Sequence, residues 1–282
     1  MNIFYLISII IGVSAQNIIK KPYTDKTNGK GVYFFSLLTS LSAMLFFVLI
    51  SRGLNFEIRI LPYSLLFALS YALTTVFSVL SVACGSLSLT SLIISYSLMI
   101  PTFYGLIFLN DDISIGLFPG IALLALSLLL INKKSDDSPI TLKWLIYVLL
   151  AFIGNGMCTV SQKMQQVAFD GEYKNEFMIL ALAVVSIILA LLIIASERKE
   201  IKTYAKFGWH LSIICGIMNG AVNLFVMLLS GKMPASLMFP LISAGGIIVT
   251  YIVSRFFYKE KLTKTQLCGF ILGTISVVFL NI

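Results

Sequence analysis

Apolar runs of membrane-spanning length, each closed by a short polar cluster, follow one another along the whole chain. They fall near 3–20, 32–51, 62–84, 86–109, 113–131, 142–164, 176–195, 207–229, 234–257 and 263–281. A helix crossing the hydrocarbon core needs about 20 mostly apolar residues, so the pattern predicts ten spanning helices. Two stretches, 61–109 and 207–257, are too long for one helix. They divide at Cys84-Gly85-Ser86 and at Ser230-Gly231-Lys232-Met233-Pro234, where glycine and proline interrupt helical backbone. The runs are continuous rather than alternating, which excludes the strands of a membrane barrel. The loops are short and leave no soluble domain to carry separate chemistry.

Composition agrees. Of 282 residues, 59% are hydrophobic and 11% charged, with mean hydropathy +0.98, whereas soluble domains carry about 25% charged residues. The net charge of +8 does not indicate nucleic-acid binding. Its basic residues sit in clusters between the apolar runs, where they set topology and meet the headgroups of the lipid bilayer. Cys84, Cys158, Cys215 and Cys268 stand singly, His210 is the one histidine, and no C-x-x-C spacing occurs. The cysteines read as small packing residues, and neither a metal site nor a cofactor is expected. The first run lacks a basic leader and a small-residue cleavage site, so it reads as a retained helix rather than a signal peptide.

An internal repeat organises the chain. Ile11-Gly12 followed by Lys21 recurs as Ile153-Gly154 followed by Lys163, at an offset of 142. Asp111-x-Ile113-Ser114, Gly120 and Asn132 recur as Glu260-x-Leu262-Thr263, Gly269 and Asn281, at an offset of 149. The break at Gly85 has a partner in Gly231. The chain thus divides into a first five-helix half, residues 1–137, and a second, 138–282, joined near Lys133–Pro139. An odd number of helices per half inverts the second half in the membrane. The loop charges agree. Lys20, Lys21, Lys26 and Lys30 outweigh Arg52 and Arg59 in the first half, whereas Arg198, Lys199, Lys202 and Lys206 outweigh Lys163 and Lys174 in the second. Equivalent loops carry opposite bias, as inverted repeats require. Taken literally, the count places both termini outside.

With these features the sequence resembles the drug/metabolite transporter superfamily, in its ten-helix EamA-like branch. The sharpest local match is Glu260-Lys261-Leu262-Thr263-Lys264-Thr265-Gln266-Leu267-Cys268-Gly269, running on to Gly273. It is similar to the family's E-x-L-T-x-x-Q-x-x-G-x-x-x-G entry to the last helix. The first half carries a degraded copy, with Asp111, Gly116 and Gly120. Pro101 and Pro240 stand at different distances from Asp111 and Glu260, so the two kinks are not equivalent. Family members are commonly drawn with cytosolic termini, the opposite of the charge count. The resemblance implies a transporter of amino acids, sugars, nucleotide derivatives or drugs.

Polar residues inside apolar spans are the candidates for contact with a cargo. Helix six offers Asn155, Thr159 and Gln162 on one face, and helix eight offers Asn219 and Asn223. Helix three carries a stripe of Tyr71, Thr74, Thr75 and Ser78; helix one adds Gln16 and Asn17, and helix four Ser95 and Tyr96. Substrate binding is assigned to Gln16, Asn17, Tyr71, Thr75, Tyr96, Asn155, Thr159, Gln162, Asn219 and Asn223, against the competing reading that they only hydrogen-bond between helices. Lys21 and Lys163 either attract or gate an anionic substrate, or snorkel to headgroups. All twelve acids fall in loops or at helix ends, so no carboxylate-based proton/drug antiport is expected. The expectation is a secondary transporter of a small polar metabolite, multi-pass in a bacterial plasma membrane, a monomer or homodimer, working by alternating access. A flippase for lipid or polyisoprenoid-linked substrates is the alternative. A membrane enzyme would need a nucleophile–base set that cannot be assembled here.

Overall fold

The computed structural model describes residues 2–51, 53–108, 115–131, 141–230, 235–259 and 262–279. These residues form α-helices with short connections and no strand: α1 (Asn2–Thr27), α2 (Val32–Ile50), α3 (Leu61–Cys84), α4 (Leu87–Ser95), α5 (Met99–Phe108), α6 (Leu117–Ile131), α7 (Leu142–Ala168), α8 (Lys174–Ser196), α9 (Ile201–Ser230), α10 (Ala235–Phe257) and α11 (Lys264–Phe279). Six apolar helical stretches among them are long enough to cross a membrane: Ile3–Thr27, Val32–Ile50, Ile58–Cys84, Leu142–Ala168, Lys174–Ser196 and Ile201–Leu229. The junction at 133–139, the glycine–proline break at 231–234, and Asp111, Asn132, Glu260 and Asn281 lie outside the described residues.

Two boundaries depart from the pattern of apolar runs. The first helix continues past Lys20 to Thr27, carrying Lys20, Lys21 and Lys26 on helical backbone rather than in a loop. The fourth run is interrupted: α4 ends at Ser95, a 3₁₀ turn spans Tyr96–Leu98, and α5 starts at Met99. Pro101 supplies the reason. It has no N–H to give the carbonyl of Ser97 four residues earlier, so the backbone tightens to i→i+3 pairing there; the Met99 N–H accordingly donates to the Tyr96 carbonyl.

The ends of the helices are set by local chemistry. Ser86 caps α4 by accepting from the Leu89 N–H at 3.2 Å, and Thr141 caps α7 by accepting from Trp144 at 3.2 Å. Before α11, Thr263 Oγ1 accepts from the Gln266 N–H at 3.2 Å while Gln266 Oε1 accepts from the Thr263 N–H at 3.1 Å. That is a reciprocal capping box, which gives a physical role to the T-x-x-Q of the family-like segment.

The turns that follow α1 and α7 share one conformation. Asn28, Gly29 and Gly31 have φ of 51°, 72° and 71°, and Asp170, Gly171 and Tyr173 have 48°, 76° and 56°. Gly29 N–H donates to the Thr24 carbonyl at 2.8 Å and Gly171 N–H to that of Gln166 at 2.9 Å, each across five residues. Both are left-handed helix stops of the Schellman type. Every pair in this comparison is separated by 142 positions.

Packing brings the chain's ends and middle together. α1 lies against α9 and α10; α7 against α3, α4 and α5; α2 against α8 and α9; α8 also against α3; and α6 against α11. Glycines set the closest approaches. A Cβ at Gly12 would stand 2.5 Å from Val222 Cγ2 and 4.0 Å from the Met218 carbonyl oxygen of α9. One at Gly154 would stand 2.5 Å from Thr74 Oγ1 and 2.7 Å from the Ser70 carbonyl oxygen of α3. Small residues let membrane helices approach this closely, where the hydrophobic effect does not drive them together.

Candidate functional site

The helices α1, α3, α7 and α9 meet around a cavity of about 250 Å³, with α2, α4 and α10 completing its wall. Helical spacing explains its polarity. Gln16 and Lys20 lie one turn apart on α1, as do Tyr71 and Thr75 on α3, Asn155 and Thr159 on α7, and Asn219 and Asn223 on α9, so each helix turns one polar stripe inward. Ile9, Val13, Phe35, Phe67, Val222, Val226 and Ile242 supply the apolar remainder.

The amides form a continuous network across the centre. Asn219 Nδ2 donates to Gln16 Oε1 at 2.9 Å, and Asn219 Oδ1 accepts from the Tyr71 hydroxyl at 2.9 Å. Asn223 Nδ2 donates to Asn219 Oδ1 at 3.2 Å, and its own Oδ1 accepts from Gln162 Nε2 at 3.1 Å. The helices α1, α3, α7 and α9 are therefore tied through two asparagines one turn apart on α9. Asn155 reaches to the break between α4 and α5, where Nδ2 donates to Ser97 Oγ at 2.6 Å. A buried polar group left without a partner is costly, and Gln16 and Asn223 also donate to the backbone carbonyls of Gly12 and Asn219, at 3.2 Å and 2.9 Å.

Nine of the ten residues assigned from sequence line this cavity: Gln16, Asn17, Tyr71, Thr75, Asn155, Thr159, Gln162, Asn219 and Asn223. Tyr96 does not. Its hydroxyl pairs with Ser127 Oγ of α6 at 2.8 Å, and Ser127 in turn donates to the Gly269 carbonyl of α11 at 2.7 Å, so Tyr96 is held away from the cavity. Nor do Lys21 and Lys163 line it. Lys21 pairs with Asp25 at 3.3 Å, one turn farther along α1. The cation that does face the cavity is Lys20, whose Nζ donates to Asn17 Oδ1 at 3.4 Å. Placing the end of the first span at position 20 hid it, although its spacing of four from Gln16 is a signal for the same helix face. Cys158 and Cys215 are buried in the cavity wall, while Cys84 and Cys268 are exposed.

The profile of the EamA-like transporter family matches residues 142–282, the second half of the chain. No curated protein sequence matches it. Among solved structures, one titled "Crystal structure of protein" superposes with a TM-score of 0.60, covering 96% of this chain and 96% of its own, at 11% identity. At that identity the likeness concerns the fold alone.

Proposed function

The chain belongs to the EamA-like transporter family, and from that premise we propose that it carries a small polar metabolite across a bacterial plasma membrane by alternating access around the amide-lined cavity. Membership makes it a multi-pass membrane transporter of the drug/metabolite type. The observation that carries the finer reading is the network centred on Asn219, with Gln16, Tyr71, Asn223 and Gln162 as cargo contacts. Asn155, Thr159, Thr75 and Asn17 complete the proposed site. Transporters built from inverted repeats hold their cargo at the interface of the repeats, beside interrupted helices. The interruption between α4 and α5, with Ser97 bonded to Asn155, fits that arrangement.

An inverted repeat of two five-helix halves is supported by how the helices pair. With α4 and α5 counted as one broken helix, each helix of the first half has a counterpart in the second: α1 with α7, α2 with α8, α3 with α9, α4–α5 with α10, and α6 with α11. Exchanging counterparts turns the α1–α9 contact into α7–α3, and α2–α9 into α8–α3. It also turns α1–α10 into α7 with α4 and α5, and it leaves α2–α8 and α6–α11 unchanged. The shared turns at Asn28-Gly29 and Asp170-Gly171, and the matching approaches of Gly12 and Gly154, follow the same exchange. The second-half profile match is what one repeat unit would give.

The described lining contains no carboxylate. Coupling to protons through a buried acid is therefore not part of the proposal; the cargo moves by facilitated diffusion or exchange. The cavity volume of about 250 Å³ falls below the ~300–1,000 Å³ typical of drug-sized ligands, which favours a small metabolite over a lipid. Counterflow into liposomes loaded in turn with unlabelled amino acids, sugars and organic acids tests the proposal. Accelerated entry of the matching labelled compound is expected. Absence of exchange for every class would contradict it.

A further inference from the structure

Lys20 is the one charged side chain among the described residues of the cavity wall. Its hydrogen-bond partner there, Asn17 Oδ1, is neutral and stands at the long distance of 3.4 Å. The carboxylate nearest along its helix, Asp25, is paired with Lys21. An ammonium held among amides and apolar side chains, with no carboxylate among the described residues lining the cavity, is poorly compensated, and an anion brought into the cavity supplies what is missing. We infer that Lys20 is the anion-binding point of the cavity and that the cargo is a small organic monocarboxylate whose hydroxyl or carbonyl groups meet the surrounding amides. The inference rests on the transport reading above and narrows its substrate class.

Charge balance selects the monoanion. A single carboxylate neutralises Lys20; a dianion reverses the sign of the cavity, and a neutral sugar leaves the ammonium uncompensated. A zwitterionic amino acid brings a second ammonium, with no carboxylate in the described lining to receive it. A phosphate monoester carries about −1.5 to −2 charges near neutral pH, so a carboxylate suits the site better. The position 142 residues on from Lys20 is Gln162, which also lines the cavity. The two halves therefore contribute a cation at one place and an amide at the corresponding one. A hydroxy acid would lie with its carboxylate toward Lys20 and its uncharged end toward Gln162 and Asn223, which are already bonded to each other at 3.1 Å. The volume of about 250 Å³ limits it to a molecule of a few carbons.

The test uses the purified full chain in detergent at constant ionic strength. Its thermal transition is followed against lactate, glycerate and gluconate, with glycerol and glucose as uncharged counterparts, alanine as zwitterion and succinate as dianion. A ligand that binds only the folded state raises Tm, by an amount that grows with the logarithm of its concentration relative to Kd. At least one hydroxy monocarboxylate is expected to raise Tm while its uncharged counterpart does not. Lys20→Gln should weaken that binding tenfold or more, Lys20→Arg should restore most of it, and Lys26→Gln should leave it within twofold. Stabilisation by glucose or glycerol equal to that by gluconate or glycerate overturns the inference, as does undiminished binding in Lys20→Gln or a shift with none of the three acids. Should Lys20→Gln lose its cooperative transition without ligand, the acid-against-counterpart comparison in the wild-type protein decides. Counterflow separates this inference from the transport reading. Glucose or alanine exchange that is insensitive to Lys20→Gln sinks the anion point alone. Lys20-dependent binding without exchange of the bound acid sinks the transport reading alone.

Discussion

Asn219 makes the most consequential set of contacts in the cavity, since its amide bonds Gln16, Tyr71 and Asn223 on three different helices. Hydrogen bonds between membrane helices contribute only about 0.6 kcal/mol each. Asn219→Ala is therefore expected to cost about 1–2 kcal/mol of stability while lowering transport by an order of magnitude or more. Thermal melts and liposome uptake on the same preparation check this; normal transport by Asn219→Ala would remove the site. Residues of this kind were legible in the sequence because amides inside apolar runs are conspicuous and helical spacing assigns them to a face. Lys20 was not, because a lysine at the polar edge of a run reads as a loop residue until the helix is seen to continue to Thr27. Tyr96 was misplaced for the opposite reason. Its depth in the span suited a cargo contact, but its partner Ser127 is on a helix that no local spacing connects to it.

Among the elements, α2 and α8 are held together at the end where α2 begins. Gly31 at the start of α2 has φ +71° and no side chain to cap with, so the first amides of the helix need another acceptor. Glu197, just past α8, supplies it: Oε1 accepts from Tyr33 N–H at 3.1 Å and Oε2 from Phe34 N–H at 2.9 Å. Loss of a helix cap costs about 0.5–2 kcal/mol, and Glu197→Ala should lower stability by about that amount without altering cargo affinity. Burial raises the Glu197 carboxyl above its ordinary range, against the opposing effect of the Phe34, Tyr33 and Val32 amides. An acid whose folded titration is raised binds its proton more tightly in the folded state. Its stabilising contribution is thus complete below the ordinary carboxylate range and is lost as pH rises through the raised value. Tm measured from acid toward neutral pH should show this decline in the wild-type protein and a flatter profile in Glu197→Gln. The break between α4 and α5 makes a second test. Pro101→Ala returns the missing N–H, and a straightened helix should displace Ser97 from Asn155 and slow transport. The proline made a kink at 101 readable in the sequence, but apolar runs report span positions and neither the trans-helix cap nor the 3₁₀ turn.

At the scale of the molecule, the all-helical, multi-span character was legible because long apolar runs record insertion in a membrane. The correspondence of the turns at 28–31 and 170–173 was not, because Asn-Gly-Lys-Gly and Asp-Gly-Glu-Tyr share a left-handed path more than they share residues. Gly12 approaches α9 closely, and Gly154 approaches α3. Enlarging either glycine to leucine should cost at least the ~1–3 kcal/mol of an overpacked interface, read as a lowered Tm in detergent. Without a carboxylate in the described lining of the cavity, an imposed pH gradient should leave the rate of cargo entry into liposomes unchanged. A gradient-driven accumulation abolished by one substitution within the membrane would require a different coupling chemistry.

Alternating access around this cavity is tested most directly by asking from which side it can be reached. With the four native cysteines replaced by alanine, Thr159→Cys places a single thiol on the cavity wall. Membrane-impermeant maleimide is then added to sealed vesicles of either orientation. Labelling from both faces, suppressed by the compound that supports counterflow, is the expected result. Labelling from one face alone, whether or not that compound is present, would contradict it.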